Sequence, residues 1–130
     1  MTGKGKVLLM DDEQVILDVT REAMRFLGYD VMFARNGAAA IELYQHEKTA
    51  GHPFDLVILD LSVPEGMGGK EAFEHIHALD PQAKVVISSG YTDDPMMTGY
   101  ASFGLAGILA KPYRVTDIKT LLETMIKKSP

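Results

Sequence analysis

Four short stretches hold the side chains in this sequence that could do chemistry together: Asp11-Asp12-Glu13, Asp60, Ser88-Ser89-Gly90 and Lys111-Pro112. Brought to one place, they supply clustered carboxylates, a hydroxyl and an ammonium. Two carboxylates about 4 Å apart repel by roughly 4 kcal/mol at an effective dielectric near 20. Three of them with a single lysine leave a pocket short of positive charge. Oxygen-rich pockets of this kind suit Mg²⁺, with Mn²⁺ as the alternative, because such ions take one or two carboxylates, keep several waters and bridge phosphates. Taken singly, each aspartate has a plainer explanation as a helix cap, and Asp12 is well placed to cap the helix that follows it. Taken together, at one edge of one sheet and beside a serine and a lysine, they define a site.

Periodicity shows the elements that must position them. Five short apolar runs, Lys6–Met10, Tyr29–Ala34, Asp55–Leu59, Ala83–Ser88 and Ala106–Ala110, alternate with longer segments of helical period. Val-Leu-Leu-Met, Leu-Val-Ile-Leu and Val-Val-Ile are apolar on both faces, as strands between two helix layers are. Val15, Ile16, Val19, Ala23, Phe26 and Leu27 give the first helix an apolar stripe, and Gly28 supplies its left-handed C-cap. Asn36 caps a second helix bearing Ala40, Ile41 and Tyr44, followed by a long polar loop over Glu47–Pro53. A third carries Ala72, Phe73, Ile76 and Leu79 and stops at Asp80-Pro81, since proline disfavours helix in the residue before it. A fourth spans Pro95–Phe103. The fifth sets Val115, Ile118, Leu121, Leu122, Met125 and Ile126 on one stripe. This (βα)₅ alternation predicts a parallel sheet with helices on both faces, in one domain over residues 1–130 with its core at 6–127. Ligands of such sheets sit beyond the carboxyl ends of the strands, where the four reactive stretches fall.

Composition narrows the function classes. The 130 residues are 46% hydrophobic and 24% charged, an ordinary globular balance rather than a disordered one. The absence of cysteine removes disulfides, thiolate metal sites and cysteine nucleophiles, and fits a reducing, cytoplasmic setting. A net charge of −5, with no basic stripe beyond Lys127-Lys128, argues against nucleic-acid binding. No apolar run approaches the about 18 residues of a membrane span, and Val7–Met10 is too short for a signal-peptide core. Gly66-Met67-Gly68-Gly69-Lys70 is no Walker loop, because Pro64 stands at the leading glycine and Glu71 at the Ser/Thr position. Those glycines predict a mobile loop beside Asp60. His46, His52, His75 and His77 do not cluster, and none is assigned as ligand or phosphohistidine. Met96, Met97 and Tyr100 are either core filling or an adaptable partner surface.

The motifs Leu9-Met10-Asp11-Asp12-Glu13, Leu59-Asp60-Leu61-Ser62-Val63-Pro64, Ser88-Ser89-Gly90 and Ala110-Lys111-Pro112 stand in this order at successive strand ends. In that arrangement the chain resembles the response-regulator receiver domain over residues 6–127, and 60–71 and 89–95 are most similar to receiver modules of hybrid sensor histidine kinases. The resemblance implies a flavodoxin-like doubly wound fold with a five-stranded parallel sheet in the order 2-1-3-4-5. It makes Asp60 the phosphoacceptor that attacks a phosphohistidine, and the chain a signalling switch rather than an enzyme. It gives Asp11, Asp12, Asp60 and the Ser62 backbone carbonyl as Mg²⁺ ligands, and pairs Lys111 with Asp60 at rest and with the phosphoryl group afterwards. Ser89 and the Gly90 backbone N–H become phosphoryl donors, and a cis Lys111-Pro112 bond aims the lysine inward. The implied partner is a histidine kinase or histidine phosphotransfer protein, with self-association through the fourth helix, fifth strand and fifth helix.

One position departs from the family. Many receivers carry Tyr or Phe three residues before the lysine, where this chain has Ile108, so switching is expected to rely on the loop from Ser89 to Pro95. Two other function classes compete. A Mg²⁺-dependent phosphatase resembling the haloacid dehalogenases needs a second aspartate two residues after the nucleophile, where Ser62 stands, and a cap domain that is not evident. A binding module that works without phosphorylation has no use for Asp11, Asp12, Asp60, Ser89 and Lys111 together.

Overall fold

Strands that are apolar at every position can be satisfied only between two layers of helix, and the chain folds that way. A computed structural model describes residues 4–61 and 66–126. Its elements are β1 (Lys6–Met10), α1 (Gln14–Leu27), β2 (Asp30–Ala34), α2 (Gly37–Thr49), β3 (Leu56–Asp60), α3 (Gly69–Leu79) and β4 (Val85–Ser89). They continue with α4 (Pro95–Thr98), a 3₁₀ turn (Tyr100–Phe103), β5 (Gly107–Ala110) and α5 (Val115–Met125). The strands pair in parallel in the order β2-β1-β3-β4-β5, the flavodoxin-like topology. Every residue of β3 and β4 is buried. Alternate strand residues feed two cores. Leu8, Val57, Leu59 and Ile87 pack with Tyr44, Phe73 and Ile76 of α2 and α3. Leu9, Ile58, Val86 and Leu109 pack with Met24, Ile118 and Leu122 of α1 and α5. Among the described residues, no helix is long and apolar enough to cross a membrane.

The local signals at Gly28 and Asn36 act as expected. Gly28 closes α1 with φ 92°, and the Asn36 side chain accepts from the Ala39 backbone N–H at 2.9 Å. Three readings need correction. α1 buries Leu17, Thr20, Ala23 and Met24, while Val15, Val19 and Phe26 are 70%, 46% and 85% exposed. Two apolar series run along this helix, and the face with Thr20 turns inward, where the Thr20 hydroxyl lies 3.5 Å from the Tyr113 hydroxyl. α2 extends through Thr49, so the first three residues of the expected polar loop are helical. Their polarity belongs to a helix flank, with Glu47 paired to Lys6 and Lys48 Nζ 3.5 Å from Asp80. The expected fourth helix divides at Gly99, whose backbone (φ −122°, ψ 41°) leaves the helical region. Only one α turn precedes it and a 3₁₀ turn follows. Met96 and Met97 are both buried in the core beneath this segment, which settles them as core filling.

Candidate functional site

The two central strands bring the acids together. Asp11 follows β1 directly and Asp60 ends β3, and these strands are hydrogen-bonded neighbours. Asp11, Asp12 and Asp60 each offer a carboxylate oxygen, and the three atoms lie within 4.8 Å of one another. Asp11 and Asp60 are 1% and 2% exposed, while Asp12 is half-buried. The capping explanation for Asp12 fails. The N-cap of α1 is Glu13, with no side-chain cap, and the acceptor for the Glu13 N–H is Asp11 Oδ1 at 3.0 Å. The Asp12 carboxylate makes no hydrogen bond or ion pair among the described residues. Gly69 fixes the other wall. A Cβ there would stand 2.5 Å from the Asp60 carbonyl oxygen, so α3 starts in backbone contact with the end of β3.

Lys111 stands one residue beyond β5, after the sheet has placed β4 between it and Asp60. The Lys111-Pro112 bond is cis, as expected. The Lys111 ammonium lies 2.8 Å from Asp11 Oδ2, 3.5 Å from Asp60 Oδ2 and 3.5 Å from Glu13 Oε1. Asp60 is therefore one of three anions around it, and Asp11 is the tightest. The reason is local: Glu13 N–H holds Asp11 Oδ1, which turns Oδ2 towards the lysine. Burial works against the charged lysine, but the pair with Asp11, then the fields of Asp60 and Glu13, raise its pKa above the usual range.

Ser89 ends β4 and is buried, with its Oγ accepting the Tyr91 backbone N–H at 2.9 Å. That leaves its hydroxyl proton to donate elsewhere. Gly90 is exposed, and a Cβ there would meet nothing within 4 Å. Ser62, expected to offer its carbonyl, lies outside the described residues. Ile108 sits on the edge strand, 36% exposed. One group at the site escaped sequence reasoning, Tyr113, and another, Ser88, was named there without a role. Tyr113 is half-buried beside the pocket; burial raises its phenol pKa, and the Asp11 and Asp60 charges add to this. Ser88 sits beneath the carboxylates, opposite Asp60 in the β3–β4 register. Proximity in sequence to Lys111-Pro112 was the available signal for Tyr113. A groove of about 570 Å³ on α1, lined by Val19, Phe26 and Val115, bears none of these groups and is not the site.

The donor set fits a small divalent cation. It consists of hard carboxylate oxygens, converging at the sheet edge, with one lysine against three acids. Asp11 Oδ2 strengthens the fit, being fully buried with the ion pair to Lys111 but no aligned hydrogen bond.

Comparison with known proteins agrees with this geometry. The chain is 27% identical over 128 residues to the sensor kinase CckA of Brucella abortus, covering 98% of this chain but 13% of that protein. It is 29% identical over 114 residues to sporulation initiation phosphotransferase F of Bacillus subtilis, covering 88% of this chain and 87% of that one. In fold it matches the receiver domain of sensor histidine kinase PA1611 from Pseudomonas aeruginosa, solved with magnesium in its active-site cleft. That match has a TM-score of 0.82 at 20% identity, over 97% of this chain and 100% of that one. The family model for the response regulator receiver domain matches residues 7–123, from within the first strand to within the last helix. The chain thus belongs to the response regulator receiver domain family, the phosphoacceptors of two-component signalling.

Proposed function

We propose that Asp60 accepts the phosphoryl group and that Asp11, Asp12, Lys111, Ser89 and Gly90 prepare and read the transfer. The observation that carries this is the Asp60 carboxylate, within 4.8 Å of those of Asp11 and Asp12 and 3.5 Å from the Lys111 ammonium. One Asp60 oxygen attacks the phosphorus of a phosphohistidine; the P–N bond breaks and the imidazole nitrogen keeps its electron pair. Lys111 then turns from the carboxylates to the transferred group. The Ser89 hydroxyl and Gly90 N–H donate to phosphoryl oxygens. Mg²⁺ or Mn²⁺, held by Asp11, Asp12, Asp60 and the Ser62 carbonyl, would supply charge neutralisation and orientation. Receivers are phosphoacceptors rather than turnover enzymes, so the catalysis proposed is of this domain's own phosphorylation and dephosphorylation.

The donor in this reading is a histidine kinase or a histidine phosphotransfer protein, in the cytoplasm. The likeness to a sensor kinase supports a receiver module of a hybrid kinase, and the likeness to phosphotransferase F supports a small regulator of similar length. Self-association would use α4, β5 and α5, where Ile108 of β5 and Phe103 of the 3₁₀ turn after α4 add exposed apolar area. The test is intact mass after incubation with acetyl phosphate. One phosphoryl adduct per chain is expected, only with a divalent cation, and none on Asp60→Asn. Full labelling in excess EDTA, or an undiminished adduct on Asp60→Asn, refutes the assignment.

A further inference from the structure

Asp12 stands in the gap between two ordered elements. β1 is held to β2 as far as the Asp11 N–H, which donates to the Ala34 carbonyl at 3.0 Å, and the N-cap of α1 is already Glu13. Asp12 therefore belongs to neither the sheet nor the helix. Arg35, the first residue after β2, reaches across this gap. Its Nη1 donates to the Asp12 carbonyl oxygen at 3.3 Å, and its Nη2 donates to the Gln14 side-chain oxygen. Gln14 Nε2 in turn donates to Asp18 Oδ1 at 2.8 Å, one turn further along α1. One planar fork thus grips the chain on both sides of Glu13.

The turn that carries Arg35 is itself fastened to the opposite wall. Gly37 N–H donates to the Met67 carbonyl at 2.7 Å, and a Cβ on Gly37 would lie 2.8 Å from that oxygen. Met67 belongs to the connection between β3, which ends in Asp60, and α3. Residues 35–37 so tie the turn bearing Asp12 to the connection that follows Asp60. Charge alone gives Arg35 no place here, because a guanidinium at the rim of a cation site repels the cation. Among the described residues it holds the Asp12 backbone and not the Asp12 carboxylate, which stays gathered with those of Asp11 and Asp60. A group that orients a metal ligand without touching the metal raises affinity through geometry.

We propose, on the reading of Asp11, Asp12 and Asp60 as cation ligands, that Arg35 is a positioning residue for that site. It fixes the backbone of Asp12 so that the carboxylate is aimed at the other two before a cation binds. No bond to Arg35 forms or breaks, and it touches neither the ion nor the phosphoryl group.

The experiment titrates Mg²⁺ into ¹⁵N-labelled wild type, Arg35→Ala and Arg35→Lys and reads Kd from the amide shifts of Asp11, Glu13 and Gly69. Asp12→Asn and Asp60→Asn are the controls. Charge and geometry predict opposite signs. Loss of the Arg35 charge alone would tighten Mg²⁺ binding, whereas loss of the fork should weaken it about tenfold. Arg35→Lys keeps the charge but not the fork, and should weaken binding by a similar factor. Both variants should unfold within about 3 °C of wild type in EDTA, since Arg35 is exposed. Labelling by acetyl phosphate at limiting Mg²⁺ should slow in step with Kd, and the deficit should shrink as Mg²⁺ rises. Unchanged or tighter binding by Arg35→Ala overturns the proposal, as does wild-type affinity in Arg35→Lys, which would leave the fork no role. A labelling deficit undiminished at saturating Mg²⁺ also overturns it, by placing Arg35 at the phosphoryl group. If Mg²⁺ shifts nothing in wild type, or Asp12→Asn binds it as tightly, the cation reading falls and the role of Arg35 with it. Labelling of Asp60→Asn overturns the acceptor assignment alone, because the Kd comparison does not use it.

Discussion

Replacing Asp12 with asparagine should make the metal-free protein more stable. Its carboxylate lies within 4.8 Å of those of Asp11 and Asp60, and it has no compensating partner among the described residues. At that separation two unit charges repel by about 3.5 kcal/mol at an effective dielectric of 20, and by about 0.9 kcal/mol in bulk water. Asp12 is half-buried, so its repulsion falls between these limits, and Lys111 offsets part of it. The expected gain is about 1–2 kcal/mol. For a domain of this size that raises the unfolding temperature by about 3–8 °C. Asp11→Asn should act in the opposite direction. It keeps an acceptor for the Glu13 N–H but removes the closest anion to Lys111, at 2.8 Å, for a loss of about 1–3 kcal/mol. Both variants should lose most of the stabilisation that Mg²⁺ gives wild type, since binding to the folded state alone is what stabilises it. The assay is urea and thermal unfolding in EDTA, repeated at high salt and across a Mg²⁺ series. Salt screens the half-exposed charge, so the Asp12→Asn gain should shrink with it. If Asp12→Asn is less stable than wild type in EDTA, or keeps the full Mg²⁺ response, the electrostatic account of the pocket is wrong.

Four other substitutions test the frame around it. Tyr44→Phe removes the 2.7 Å hydrogen bond to Asp80 Oδ2, which lowers the Asp80 carboxyl pKa, and should cost about 1–2 kcal/mol at neutral pH. Because the folded pKa lies below the unfolded one, this contribution is complete above the unfolded value of about 3.9 and fades as pH falls through the folded value. Urea titrations should show the two proteins converging in strong acid, and a constant gap would refute the assignment. Gly69→Ala puts a Cβ 2.5 Å from the Asp60 carbonyl oxygen and 3.2 Å from Leu61 Cα, so it should cost about 1–3 kcal/mol and slow labelling of Asp60; wild-type behaviour in both would deny the close approach. Met24→Ala should lose about 2–5 kcal/mol and Phe26→Ala less than about 0.5 kcal/mol by denaturant unfolding, and the reverse ranking would restore the other face of α1.

The inner strands were legible because a buried parallel strand is apolar at nearly every position, and loop residues break that run sharply; their order in the sheet came with the family resemblance. The reactive residues were legible for a related reason: Asp60, Ser88-Ser89 and Lys111 interrupt or end apolar runs, where a polar side chain has no packing role to fill. Orientation was harder to read. In α1 the series Val15, Val19, Phe26 is as periodic as Leu17, Thr20, Met24, and the choice depends on α5 and on a threonine–tyrosine contact distant in sequence. Polar residues misled in α2, where Glu47 and Lys48 look like loop but make ion pairs from a helix. Within the site, sequence placed Lys111 with Asp60 but could not rank Asp11 above it, because that depends on which oxygen the Glu13 N–H holds.

The division of α4 at Gly99 has a consequence for where this domain can open. Helix formation is cooperative, with an unfavourable first turn repaid only by the turns that follow. A helix of four residues has none to follow. Its hydrogen bonds to Asp94 and Pro95 carbonyls, and those of the 3₁₀ turn beyond, can break as a small unit without parting any strand from its neighbour. Asp60 is in the opposite situation: it ends a central strand hydrogen-bonded on both sides, so its backbone is exposed only when the sheet itself comes apart. The reactive carboxylate thus belongs to the sheet's own cooperative unit, and the Pro95–Phe103 segment is held apart from it, chiefly by Met96 and Met97 in the core. The Ser89–Asp94 connection joins that segment to β4, the neighbour of β3. A change of charge at the pocket can alter the local melting of that segment while the scaffold that aims the chemistry stays closed.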